Sequence, residues 1–114
     1  MTDYLEIYTK FKDVKEVRDY IDDVALLRHY YATKQFAQMQ EHIRRLTGKY
    51  PVEAFAWNTV NRVIPNTYEQ AYINAENFLQ FQGAVIVAKT VNNYVRHLTK
   101  DEAEFVEAMI KPMK

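Results

Sequence analysis

No glycine or proline occurs before Gly48, and over most of that stretch apolar side chains recur at intervals of three and four. The later breakers Pro51, Pro65, Gly83 and Pro112 fall close to the points where the periodicity restarts. Helix-breaking residues confined to such points predict an almost entirely α-helical chain. The expected fold is therefore all-α, a compact multi-helix bundle of antiparallel helical hairpins with five to seven helices. At 114 residues the whole chain is expected to form a single all-helical domain, residues 1–114. A chain of that size buries about two-thirds of the surface exposed when extended.

The spacing divides the chain as follows. Leu5, Tyr8 and Phe11 mark a first helix from about Asp3 to Lys12. Asp13, with Glu16 three residues on, predicts a capped start for a second helix. Its stripe is Val14, Val17, Ile21, Val24, Leu27 and Tyr31. A step of five from Tyr31 to Phe36 rotates the apolar face, so a tight turn is expected at Ala32-Thr33-Lys34. The third stripe is Phe36, Met39, Ile43 and Leu46, closed by Gly48 as a C-terminal cap.

Pro51 opens a fourth helix with Val52, Ala56, Val60 and Val63 on one face and Trp57 and Ile64 alongside. Thr67 and Gln70 form a capping pair before a fifth helix that buries Tyr68, Ala71, Tyr72, Ala75, Phe78 and Leu79. Gly83 predicts a break or kink before a sixth stripe of Ala84, Ala88, Val91, Val95 and Leu98, the alternative being one continuous helix through the fifth and sixth stretches. A second capping pair, Thr99 and Glu102, opens a short acid-rich helix that ends near Lys111. Large residues at Tyr30, Phe36, Ile43 and Leu46 are echoed later without a fixed period. Lys34 and Met39 occupy places where a helical repeat would need small residues, so the pattern is hairpin geometry.

Composition narrows the function. Fifteen basic residues balance fifteen acidic ones, which gives no overall pull toward nucleic acid or an anionic membrane. Without cysteine there is neither disulfide nor thiolate chemistry. The start Met1-Thr2-Asp3-Tyr4-Leu5-Glu6 lacks the basic and apolar character of a secretion signal. The aliphatic run Ala84-Val85-Ile86-Val87-Ala88 is far short of the ~20 residues that span a bilayer. The expected location is cytoplasmic, with no membrane partner.

The chemistry-bearing residues are scattered. His29, His42 and His97 include no pair at i, i+4, and Glu41-His42 are adjacent, so three surface or edge histidines and no metal site are expected. Asp19 and Asp23 fall on the solvent side of the second helix, where full hydration rather than acid–base work is expected. The reading is no catalytic residue, no cofactor and no enzyme.

Two faces are unusual. Leu26 and Tyr30 share the line of Asp19 and Asp23, and an aromatic and a leucine beside acids make either a docking face or a surface that packs against the first helix. From Val63 to Val95 the only charged residues are Glu69, Glu76 and Lys89, while Val85 and Ile86 project away from the sixth stripe. That low-charge region is either the bundle centre or a subunit interface. Together these features point to a cytosolic protein that works through protein–protein contact, as adaptor, inhibitor or accessory subunit. Its partner is another protein or a second copy of itself. The alternative is a nucleic-acid-associated regulator that uses the basic helix end Arg44, Arg45 and Lys49. With His42 these residues form a cluster that has Glu41 beside it and no second basic element of similar density, which disfavours it.

Overall fold

In a computed structural model, which describes residues 3–50 and 68–111, the chain is all-α. The described residues form five α-helices and a 3-10 turn and include no strand. The helices are α1 (Tyr4–Thr9), α2 (Lys15–Ala32), α3 (Phe36–Lys49), α4 (Tyr68–Thr90) and α5 (Lys100–Ile110), with the 3-10 turn at Tyr94–His97. The fourth helix expected after Pro51 and the cap at Thr67 lie outside the described residues. Among the described residues no helix is long and apolar enough to cross a membrane.

Local chemistry accounts for most helix ends. The Asp3 carboxylate accepts from the Leu5 N–H at the start of α1. The α2–α3 turn is tight, as the step from Tyr31 to Phe36 requires. Gln35 N–H donates to the Tyr30 carbonyl at 2.8 Å and Lys34 N–H to the Tyr31 carbonyl at 3.1 Å, with Lys34 at φ 60°. That pair of bonds is the Schellman closure, with lysine in the left-handed position usually given to glycine. At α5, Thr99 Oγ1 accepts from Glu102 N–H at 3.2 Å while the Glu102 carboxylate accepts from Thr99 N–H at 2.8 Å. The expected capping box is present.

Three expected boundaries move. Arg18 N–H donates to the Val14 carbonyl, so Val14, not Asp13, occupies the cap position of α2. Gly48 does not end α3. It is helical with negative φ, and the helix closes at Tyr50, whose N–H donates to the Leu46 carbonyl. Tyr50 is buried, and its side chain secures the helix end in place of a left-handed glycine. Gly83 neither breaks nor ends a helix, because α4 runs through it for 23 residues. The sixth stripe stops at Thr90, where Asn93 takes the left-handed conformation that asparagine tolerates. Ala88 and Val95, both on the expected stripe, are exposed.

The chain divides into two compact units, one of Met1–Asp22 with Gln80–Lys114 and one of Asp23–Leu79. The first buries Tyr4, Ile7 and Tyr8 of α1, Phe11 in the turn that follows it, Val17 and Tyr20 of α2, Ala84 and Val87 of α4, and Ala103, Val106 and Ile110 of α5. In α1 the buried positions 4, 7 and 8 follow the helical repeat, the expected Leu5 is half-buried, and the helix ends at Thr9 instead of near Lys12. The second unit buries Val24, Leu27, Met39, Leu46, Ala75, Phe78 and Leu79. Each large apolar side chain so enclosed contributes about 1.5–3 kcal/mol.

Gly83 is there for space. Tyr8 and Tyr20 are fully buried and meet edge to face with ring centroids 5.8 Å apart. A Cβ on Gly83 would fall 2.6 Å from Tyr8 Cδ2 and 2.7 Å from the Tyr20 hydroxyl oxygen. The Tyr8 hydroxyl donates to the Gln80 carbonyl at 2.9 Å, fixing that ring against α4, and burial pushes its pKa up. Lys10 Nζ meets Glu102 Oε1 at 2.5 Å and ties the end of α1 to the start of α5. That ammonium, followed by the Thr99 N–H, holds the Glu102 carboxyl below its ordinary value.

Two stability measurements check these roles. Gly83→Ala is expected to cost about 1–3 kcal/mol in denaturant unfolding, since two buried rings must yield to the methyl group. Gly48→Ala, where a Cβ meets nothing within 4 Å, is expected to stabilise by about 0.5–1 kcal/mol. For Glu102 the folded pKa is lowered, so its contribution is complete above the unfolded value of about 4.3. It is lost as pH falls through the folded value. The stability advantage of wild type over Glu102→Gln is therefore expected to shrink on acidification below about pH 4.3.

Candidate functional site

The densest polar arrangement lies where α3 packs on α2 in the second unit. Helical spacing on α3 puts His42 and Leu46 on its inner face beside Met39. His42 is buried at 2% exposure, which corrects the expectation of a surface or edge histidine. Its Nε2 lies 2.9 Å from the Asp23 carbonyl and its Nδ1 lies 2.6 Å from the Arg45 guanidinium. A carbonyl can only accept and a guanidinium can only donate. The ring is therefore the neutral Nε2–H tautomer, with both nitrogens engaged. Tyr30 packs its edge-to-face ring on His42 at 5.9 Å.

Asp23 is the second element of this cluster. Its carboxylate accepts from Lys49 Nζ at 2.7 Å and from the Tyr50 hydroxyl, and the side chain is 17% exposed. The expected full hydration of Asp23 does not hold, because α3 delivers two donors to it from its last turn. Asp23 thus fastens α3 at two heights, through its backbone to His42 and through its carboxylate to Lys49 and Tyr50. Charge-assisted bonds of this kind are about twice as strong as neutral ones.

The basic helix end is consequently divided. Lys49 is held by Asp23, and Arg45 donates to His42. Arg44 stands 80% exposed, with Glu41 at 3.7 Å. Of the candidate docking residues, Tyr30 is half-buried against His42, and Leu26 and Asp19 are half-buried elsewhere on α2. Val85 and Ile86 are half-buried in α4 and belong to the other unit.

The same unit carries an aromatic ladder that the periodicity conceals. Tyr31 of α2 stacks on Tyr72 of α4 at 4.0 Å and 10° between planes. Phe36 of α3 stacks on Tyr68 at 4.5 Å and 9°, and Tyr31 meets Phe36 at a tilt. Tyr68 and Tyr72 are one helical turn apart, so a single face of α4 presents both rings. The sequence places Tyr68 and Tyr72 in the core. Tyr72 is half-buried and Tyr68 is 45% exposed. The Tyr72 hydroxyl donates to Glu76 at 2.8 Å, and Glu76 takes a two-pronged bond from Arg28 at 2.9 and 3.2 Å. Burial, reinforced by that carboxylate, raises the Tyr72 pKa.

Among the described residues no three His, Asp or Glu side chains converge in the way a metal ion requires. No family model, no curated protein and no solved structure matches the chain.

Replacing the shared acceptor gives a direct test of the cluster. Asp23→Asn is expected to cost about 1–3 kcal/mol in thermal or denaturant unfolding, because it removes the charge that Lys49 and Tyr50 address. Lys49→Ala is expected to cost less, since its ammonium is half-exposed.

Proposed function

We propose that the chain is a cytosolic helical protein that acts by protein–protein contact, as an adaptor, inhibitor or accessory subunit, and not by catalysis. The observation that carries this reading is the aromatic ladder, whose outermost ring, Tyr68, remains 45% exposed. Stacking fixes these rings before any partner arrives, so they offer large contact area at small entropic cost. Ile73, on the same helix, adds a second exposed apolar side chain at 41%. Polar groups that could serve chemistry are instead spent on one another, as Arg28 with Glu76 and Asp23 with Lys49 illustrate. A nucleic-acid role for Arg44, Arg45 and Lys49 draws less support, because Lys49 is already paired with Asp23 inside the fold and Glu41 stands beside Arg44.

Affinity capture from the cells that make the chain, compared across variants, tests the reading. Tyr68→Ala and Leu26→Asp are each expected to reduce recovery of a captured protein more than about tenfold, as central hot-spot residues do, at unchanged helical circular dichroism. Capture indifferent to both changes removes both surfaces from the proposal.

A further inference from the structure

We propose that the outer face of α3 docks on the outer face of α5 of a second copy of this chain, with Arg44 and Arg45 set against Glu104 and Glu107. The proposal rests on the contact reading above and supplies it with one definite partner. Glu41, Arg44, Arg45 and Gly48 are all exposed and sit at i, i+3, i+4 and i+7, a single strip along α3. Glu104, Glu107, Ala108 and Lys111 have the same spacing on α5, are likewise exposed, and line one open concavity. Each strip is about 10 Å long.

Laid antiparallel, the two strips match in charge and in size. Glu41 falls opposite Lys111, Arg45 opposite Glu107, and Arg44 over Ala108, where a small side chain leaves room for the guanidinium. Gly48 falls opposite Glu104. The ion pairs present among the described residues involve neither Glu104, Glu107 nor Lys111, and Arg44 has only the long, solvent-screened approach to Glu41. Gly48 supports the match independently. No left-handed backbone and no neighbour among the described residues calls for a glycine there, although it weakens the helix that carries it. A glycine at the end of this exposed strip, one turn beyond the arginines, lets a second helix come close enough for them to reach its carboxylates. The strips are too short for a permanent interface, so the contact is a reversible one sensitive to ionic strength.

Sedimentation velocity of the full chain tests this. Concentration-dependent association is expected at about 0.02 M salt, weakening more than about tenfold at about 0.5 M. Arg44→Glu/Arg45→Glu and Glu104→Arg/Glu107→Arg are each expected to abolish it. Their equimolar mixture is expected to restore it, because each variant then presents the charge that the other lacks. Arg44→Glu alone keeps the test valid if the change beside His42 disturbs folding, and is expected to weaken association. Gly48→Leu is expected to weaken it while leaving α3 helical. A chain that stays monomeric at low salt overturns the proposal. So does association that ignores the charge reversals, or that appears only with added nucleic acid. Capture through Leu26 and Tyr68 does not involve these charges, so it survives failure of the self-docking and tests the broader reading separately.

Discussion

A helix of 23 residues with a glycine near its middle must recover from tertiary contact what it loses in propensity. In α4 that recovery is local and steric. The missing side chain at Gly83 lets Tyr8 and Tyr20 come against the backbone, and the Tyr8 hydroxyl then finds a carbonyl acceptor on the same helix. Because the helix is not interrupted, it buries Ala75, Phe78 and Leu79 along one side and Ala84 and Val87 further along, on a side turned away from the first. The first three residues belong to one unit and the last two to the other. The cores of both units therefore each take residues from α4.

Helical character, the α2–α3 turn and the α5 capping box are legible in the sequence because each depends on residues close together in the chain. A shift of five between Tyr31 and Phe36 rotates the apolar stripe, and Thr99 with Glu102 needs only its own first turn. Gly48 and Gly83 were opaque for one shared reason. Glycine is compatible with a cap, a kink, or simple proximity, and only the neighbours decide among them. At Gly83 the neighbours are more than sixty positions away in sequence, and at Gly48 the deciding residue is the docked Tyr50.

The polar site illustrates the same limit in electrostatic terms. Along the sequence His42, Arg44, Arg45 and Lys49 read as one positive patch, and Asp19 and Asp23 as hydrated acids. Packing α3 on α2 brings Asp23 to Lys49 and Tyr50 and turns His42 inward, so a run of like charge becomes a set of pairs. One earlier signal pointed that way: His42 lies one turn before Leu46 and one after Met39, on the stripe that faces inward. The aromatic ladder had no comparable signal, because stacking joins rings from three helices and leaves the spacing on each one unremarkable.

The enclosure of His42 has a spectroscopic consequence. An imidazole whose protonated nitrogen is sealed against a main-chain oxygen, and whose other nitrogen is covered by a guanidinium, exchanges its ring hydrogen with water only when the α2–α3 hairpin opens. That hydrogen should persist in a nitrogen-edited NMR spectrum at neutral pH, where those of the exposed His29 and His97 vanish into the solvent. The ring is thus a built-in clock for how often the two helices part.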